Sequence, residues 1–484
     1  MSTSIQQFNE FGIKRIEKLS EVYQMDFTKI AEYVTGITAV MVDLGLSLIA
    51  EEWNSIDDVL HDRRDLRSEW YVVRTDETTL GTSLGEVRYH KTLFKNKFTG
   101  EYKYLLDELM GIEPHARITE DALANILTEA VDSSYRKGGI NASISDFVVS
   151  KQTVMNKIHA LQFPEPEAPT EKRKVDVLYI DADEDHVSLQ YLERKGDIKD
   201  SHSNTYMPKM AYVYEGIEAN GDRHELIHPR YFGGGYEGSK GVTAFWTEVF
   251  EYIDACYDTA GLKKIYINGD GAEWIKTGAK LHANATFVLD KFHLHKYIIA
   301  ATSHLMDSKE DARDEIWHAI NDKCKWKAEE VFDHIIAITE SESKRKAVER
   351  SKDYVIGHWA AIMNGVRNRK DNIHCSAEGH ISHIYADRMS SRPLGWSRTG
   401  ADKMARLRVY YFNGGDMLEL VRHQKDYLPI AVGSESAPIS SSAIMESLNK
   451  NRHELGTLAD LPSYSIPYPQ IRKMAAIRSH LWGL

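Results

Sequence analysis

The sequence predicts an α/β fold: a core on a mixed five-stranded sheet that carries a helical insertion, preceded by helical and helix-turn-helix regions. Three observations predict it. Short apolar runs of β character stop on acids, as in Val177-Leu-Tyr-Ile-Asp181 and Ile265-Tyr-Ile-Asn-Gly-Asp270. Between them, Val242, Phe245, Trp246, Val249, Phe250, Ile253 and Cys256 recur in steps of three and four, the signature of an amphipathic helix. Elsewhere, the stretches before residue 163 and over 303–366 read mostly as helix.

A chain of 484 residues has a length prior of roughly three domains, and 42% hydrophobic content supplies more than one core. Lys and Arg number 60 against 72 Asp and Glu, a net charge of −12, which excludes a protein that coats nucleic acid indiscriminately. Any DNA contact has to come from local basic patches. Cys256, Cys324 and Cys375 are too few and too scattered for a disulfide framework or a cysteine zinc site, which fits a reducing cytoplasm. The N-terminus lacks the profile of a secretory signal. The most apolar stretch, Ile37 to Ala50, is short and interrupted by Asp43, so no membrane span is expected.

Residues 1–80 read as a helical N-terminal region, with Ile16, Leu19, Ile30, Tyr33, Val42, Leu46 and Ile49 at helical spacings. Residues 81–163 read as a β-hairpin plus a helix-turn-helix DNA-binding region. The hairpin, Gly85 to Tyr104, carries Arg88, Lys91, Lys95, Lys97 and Lys103 against Glu86 and Glu101, a pattern that suits a solvated face and a DNA-backbone contact equally. Thr119 can cap a helix with the stripe Leu123, Ile126, Leu127, Ala130 and Val131, ending near Gly138-Gly139. A second helix begins at Ser150. Val154, Ile158 and Leu161 face inward, and Lys151, Gln152, Asn156 and Lys157 face outward, as a groove-reading helix would present them. Two short helices joined by a turn also occur as plain packing. The proline-rich, charged stretch 164–174 reads as a linker.

Residues 175–302 and 367–425 form the expected core, interrupted by a helical insertion at 303–366 and followed by a C-terminal tail at 426–484. Strands are expected at Val175–Ile180, Val187–Leu192, Met210–Tyr214, Ile265–Ile267 and Thr286–Leu289. Three strands, a helix, a strand, a helix and a strand is the order of a ribonuclease H-like domain. There the first and fourth strands lie side by side, which brings Asp181 and Asp270 together.

Carboxylates delivered from separate elements to one point hold catalytic divalent metal, because hard Mg²⁺ prefers oxygen ligands and leaves positions open for phosphate oxygens. The third candidate is Glu378, which opens a helix in Cys375-Ser-Ala-Glu378-Gly-His380; Glu446 in Ser442-Ala-Ile-Met-Glu446 competes with it. An acid at a strand end is usually a turn or cap, so Asp181 alone is weak. A calcium-loop reading of Asp181-Ala-Asp183-Glu-Asp185 fails at His186 and Leu192. Asp270 is stronger, because Gly269 and Gly271 let metal or phosphate approach the backbone. After the third acid come Arg388, Arg392, Arg398, Lys403, Arg406 and Arg408, with Trp396 and Tyr410 nearby, of which Arg392 and Arg398 are candidate DNA contacts.

Five motifs in order resemble the bacterial ISLre-type insertion-sequence transposases, relatives of the Mutator-like DDE enzymes. They are Ser150-Lys-Gln-Thr-Val-Met-Asn-Lys157, Gly269-Asp-Gly-Ala-Glu-Trp-Ile275, Leu289-Asp-Lys-Phe-His-Leu-His-Lys296, Cys375-Ser-Ala-Glu-Gly-His380 and Ser390-Ser-Arg-Pro-Leu-Gly-Trp-Ser397. The resemblance covers most of the chain and departs in details such as Leu394 and Ala401. It implies a triad of Asp181, Asp270 and Glu378, with Mg²⁺ as cofactor and Mn²⁺ as a substitute. It also implies double-stranded DNA partners, terminal inverted repeats and target, and a homo-oligomer assembled on two ends. In that reading Asp181 and Asp270 share two Mg²⁺ ions roughly 3.5–4 Å apart and Glu378 completes the second site, for cleavage at the transposon end and joining of its 3′-hydroxyl to target DNA. Asp290-Lys-Phe-His293 resembles the Asp-x-x-His signature of Mutator relatives; Asp290 would cap a helix, and a structural or DNA-positioning role suits the pair better than metal ligation. Two other readings stay open: a metal-dependent nuclease or resolvase of the same fold, and a domesticated DNA-binding regulator without catalysis.

Overall fold

The computed structural model describes residues 3–166, 169–191, 204–221, 223–373, 375–392, 394–427 and 441–454. The chain divides into two compact units, one of Met1–Ala122, Ser143–Phe147 and Ile430–Leu484, the other of Leu123–Ala142 and Val148–Pro429.

In the first unit, α1 (Ile13–Met25) and the long α2 (Ile30–Asp62) lead into an antiparallel sheet of β1 (Trp70–Gly81), β2 (Glu86–Asn96) and β3 (Tyr102–Tyr104). β1 therefore starts inside the stretch read as helical. The run Trp70-Tyr-Val-Val-Arg-Thr is rich in aromatic and β-branched residues, and it pairs with β2 from Trp70↔Asn96 to Gly81↔Glu86. Trp70, Leu80, Val87, Tyr89 and Phe94 bury the inner face together with Val59 and Leu60 of α2. The helix Ser441–Glu454, within the stretch read as a tail, adds Ile444 and Leu448 to this core. Among the described residues one helix, α2, is long and apolar enough to cross a membrane. Polar groups fasten it to the hairpin: Asp57 accepts the Thr92 N–H at 2.9 Å and its hydroxyl at 2.7 Å, and Asn54 Oδ1 accepts the His90 N–H at 2.8 Å.

The second unit begins with helical residues from Leu123 onward. α3 (Glu120–Asp132), α4 (Tyr135–Ile140) and α5 (Lys151–Ala160) precede the central sheet, and Ser150 caps α5 by accepting from the Thr153 N–H. The sheet contains β4 (Val177–Glu184), β5 (Lys209–Tyr214), β6 (Arg230–Gly234), β7 (Lys264–Gly269) and β8 (Ala285–Leu289), in the order β6-β5-β4-β7-β8. β4, β7 and β8 run parallel, and β5 is antiparallel to both β4 and β6. The amphipathic stripe becomes α6 (Gly238–Cys256), whose Phe245, Trp246, Val249 and Ile253 are fully buried among Leu178, Ile180, Val213, Ile265 and Ile267.

The second expected strand is not part of this sheet. Val187–Ser188 makes a two-residue pairing with Thr205–Tyr206 instead, and Leu192 lies outside the described residues. The third sheet strand is Arg230–Gly234, a stretch with paired glycines that is not among the expected strands. Packing requires Gly233: a Cβ there would stand 1.9 Å from Tyr385 Oη and 2.9 Å from the Lys209 carbonyl. β4 also runs further than expected, because pairing with β5 through Asp181↔Tyr212 and Asp183↔Met210 keeps the acid-rich segment extended.

After α7 (Glu273–Leu281) and β8 come α8 (Lys291–Thr302) and four more helices, α9 (Lys309–Asn321), α10 (Lys325–Ile338), α11 (Glu342–Gly357) and α12 (Trp359–Arg367). They have their own core, with Ile298, Ile316, Phe332, Val348 and Val355 fully buried. The short α13 (Ala377–Ile381) and α14 (Arg398–Phe412) follow. α14 holds the preceding helices: Arg408 bonds Asp132 Oδ1 at 2.8 Å and the Val131 carbonyl, and Lys403 Nζ donates to the Leu161 carbonyl at 2.6 Å. The helices that the sequence groups with the hairpin thus belong, from Leu123 on, to the unit of the central sheet.

Candidate functional site

The parallel pairing of β4 with β7 matches Asn268 to Asp181, and Asp183 and Asp270 each lie two residues further along. Alternation along a strand turns Asp181 and Asp183 to the same face. Their surroundings nevertheless differ sharply.

Asp181 is fully buried. Its Oδ2 accepts the Tyr212 hydroxyl at 2.7 Å and the Ser376 N–H at 2.8 Å. Its Oδ1 accepts Asn268 Nδ2 at 2.8 Å and the Tyr214 hydroxyl at 3.3 Å. Burial holds this carboxyl above its ordinary range although all four groups donate to it. Both oxygens are committed to internal donors, so in this arrangement Asp181 offers nothing to a metal ion.

Asp183 is the carboxylate on which the charges of other acids act. It is pushed up to about 7, first by burial and then by the charges of Asp270 and Glu378, with His293 opposing. The Glu184 N–H donates to it at 2.9 Å. Of the two acids on β4, Asp183 is therefore the one on which the charges of Asp270 and Glu378 act. Strand alternation was the signal for it in the sequence, obscured because the acid run looked like a turn.

Asp270 sits on the turn after β7, where its Oδ1 accepts the Ala272 N–H at 2.8 Å. The helical insertion clasps this turn from the other side: the Tyr354 hydroxyl donates to the Asp270 carbonyl, and His358 Nε2 lies 3.3 Å from the Gly271 carbonyl. Gly271 has φ +97°, and a Cβ on it would stand 2.5 Å from the His358 ring. Glycine at this position thus answers to both backbone and neighbour. Glu378 is exposed on the first turn of α13. Its rival Glu446 lies on Ser441–Glu454, in the first compact unit, whereas Asp183 and Asp270 are in the second.

Asp290 caps α8, accepting from the N–H groups of Phe292 at 3.1 Å and His293 at 3.4 Å, and it bonds His293 Nδ1 at 2.9 Å. That bond raises the proton affinity of His293, and the charges of Asp290, Asp183 and Asp270 add to it. His293 is thus a basic neighbour of these acids, and Asp290 the group that orients it.

The candidate DNA contacts fare unequally. Lys151, Gln152, Asn156 and Lys157 are exposed on α5, opposite the buried Val154 and Ile158, with Gln152 Nε2 bonded to Asn156 Oδ1 at 3.0 Å. Arg392 is exposed, while Arg398 pairs with Glu237 at 2.5 Å. The rest of that basic run is internal: Arg388 and Arg408 are buried, and Arg406 pairs with Asp402 at 3.0 Å. These arginines build the fold and do not form a phosphate-facing row. Part of the hairpin's charge is paired as well, with Lys91 on Asp107 at 2.5 Å and Lys103 between Glu101 at 3.5 Å and Glu108 at 3.7 Å.

Oxygen donors from three separate elements, Asp183, Asp270 and Glu378, suit a hard divalent cation, and the mutual repulsion that lifts Asp183 is charge such a cation would neutralise. Among the described residues no three His, Cys, Asp or Glu side chains stand close enough to hold a metal ion as they are placed.

The model of an uncharacterised protein family, UPF0236, matches residues 24–426. A UPF0236 protein of Caldanaerobacter subterraneus subsp. tengcongensis is 37% identical over 393 residues, covering 81% of this chain and 79% of the relative. Another from the same organism, whose name carries eleven locus labels, is 37% identical over 392 residues, covering 81% of this chain and 79% of its own. A Streptococcus gallolyticus relative, the UPF0236 protein in the vanSb 3′ region, is 24% identical over 417 residues, covering 82% of this chain and 84% of its own.

Proposed function

The chain belongs to the uncharacterised protein family UPF0236, and from the acids it gathers at one end of its sheet we propose that it is a cytoplasmic DNA transposase of the DDE type. It cleaves the ends of a mobile element and joins the freed 3′-hydroxyl to target DNA. The observation that carries this reading is that the charges of Asp270, on the turn after β7, and Glu378, on α13, both act on the half-buried Asp183 of β4. The strand order, third-second-first-fourth-fifth with the second antiparallel, supports a ribonuclease H-like core. A relative encoded at eleven loci of one genome is what a self-copying element leaves behind.

Asp183, Asp270 and Glu378 would hold Mg²⁺, or Mn²⁺ in its place. When bound, the ion neutralises phosphate charge and lowers the pKa of coordinated water. The chain's own residues supply the frame. Tyr354 and His358 fix the Asp270 turn, Asp290 orients His293 beside the acids, and the exposed face of α5 offers Lys151 and Lys157 to DNA phosphates. In cleavage, water oxygen bonds to phosphorus and the bond to the 3′ oxygen breaks. In joining, that 3′ oxygen bonds to a target phosphorus and a target ester bond breaks. Both are in-line displacements and neither needs a covalent protein intermediate.

The test incubates the full chain with DNA carrying the sequences that flank its own gene, with Mg²⁺ or EDTA, beside Asp270→Asn. Metal-dependent breaks at the ends and joined products, both abolished in the variant with DNA binding retained, are expected. Breaks without joined products would instead make it a nuclease, and binding with no breaks a regulator.

A further inference from the structure

We infer that Asp181 is a positioning residue that sets the place of Glu378, an inference that rests on reading Glu378 as an acid of the site. The donors to Asp181 belong to four residues and come from three directions. Tyr212 and Tyr214 stand on β5 and Asn268 on β7, all within the sheet. The fourth, the Ser376 N–H, lies outside the sheet, 195 residues away in sequence and two residues before Glu378. The Ser376 hydroxyl also meets Tyr212 Oη at 2.6 Å, so the same two sheet residues grip both polar groups of Ser376. Two residues beyond Glu378, the His380 ring packs on Tyr212 with centroids 4.4 Å apart, and its Nδ1 lies 2.9 Å from Tyr231 Oη. The approach to this turn is tied as well: Tyr179 Oη donates to the Asp371 carbonyl at 2.6 Å, and Asn372 Nδ2 to Asn268 Oδ1 at 3.2 Å. Glu378 is thus exposed between two anchored residues, Ser376 and His380.

A carboxylate suits this centre because it only accepts, and every group around it donates. An amide at position 181 would turn one acceptor into a donor facing donors, and the partner outside the sheet is the one freest to leave. Asp181 then acts on chemistry through Glu378, as groups behind metal ligands do.

The test uses the full chain without DNA, as wild type and with Asp181→Asn, Tyr212→Phe and Asp183→Asn. Hydrogen exchange of peptides over residues 375–381 reads the clamp, and Mn²⁺ titration followed by electron paramagnetic resonance reads the site. Asp181→Asn is expected to speed exchange at 375–381 by about tenfold while leaving β7 and β8 nearly unchanged. It should also weaken Mn²⁺ affinity by roughly tenfold while keeping saturable binding. Tyr212→Phe should move both readouts the same way by less, and it carries the test if Asp181→Asn fails to fold. Asp183→Asn should lose Mn²⁺ binding with exchange at 375–381 unchanged. Unaltered exchange at 375–381 in Asp181→Asn overturns the inference, and loss of Mn²⁺ binding alongside it makes Asp181 itself a ligand. Failure of the wild type to bind Mn²⁺ removes the proposed site, and the exchange result still decides whether Asp181 holds the turn.

Discussion

Asp183 on β4 and Asp270 on the turn after β7 each lie two residues past the paired Asp181 and Asn268, and the charge of Asp270 adds to burial in raising the proton affinity of Asp183. An acid held this way stabilises the fold fully below its ordinary value of 3.8, and that stability is lost as the pH climbs to about 7. The metal-free protein should therefore gain stability from this group at pH 5 relative to pH 8. Asp183→Asn should stabilise the metal-free protein at pH 8 by about 2–4 kcal/mol and flatten the dependence between pH 5 and 8. Thermal melts across that range check it, and an unchanged slope in the variant would refute the assignment.

Glu378→Gln should lower end cleavage by roughly a thousandfold or more, with DNA binding kept. Glu446→Gln, on a helix of the first unit, should leave cleavage near the wild-type rate. Single-turnover cleavage of end-bearing DNA separates the two, and the reverse outcome would move the third acid to Glu446.

Replacing Lys151 and Lys157 together with Ala should weaken DNA binding and reduce the slope of log affinity against log salt by about 1.8, near 0.9 for each phosphate that no longer has a lysine to neutralise it. Both side chains are exposed, so thermal stability should hold. Affinity titrations at several salt concentrations give the slope; an unaltered slope would take α5 out of the DNA interface.

Arg408→Met should cost about 3–5 kcal/mol, because it leaves three carbonyls without their donor, at about 1–3 kcal/mol each. Arg408 is 1% exposed and bonds Asp132, the His383 carbonyl at 2.8 Å and the carbonyls of Val131 and Ile384. Urea unfolding measures the loss, and a change under about 1 kcal/mol would show that these carbonyls find other donors.

Elements with strong periodicity are legible in the sequence alone. The steps of three and four from Val242 to Cys256 give α6 because its buried stripe faces the sheet, and Ser150 announces α5 because its hydroxyl caps the helix. Arg230–Gly234 is hidden since its glycines serve the close approach of Tyr385, a tertiary demand that no local pattern encodes. The acids near the site are legible as a set but not as individuals. Asp181 and Asp183 share a strand face, and what separates their roles is the pair of tyrosines on β5 and a serine 195 residues away. Arginine-rich sequence after Glu378 misleads for a related reason: a guanidinium that reaches several carbonyls at once can be buried, so charge in the sequence does not mean charge at the surface.

The closeness of Gly271 and His358 bears on engineering. A chimera that exchanges the helical insertion for one from a relative brings a new residue beneath the Asp270 turn, and a side chain at 271 would collide with whatever replaces His358. The two positions, 87 residues apart, have to be transplanted as a matched set, or the graft will fold and still misplace its acid.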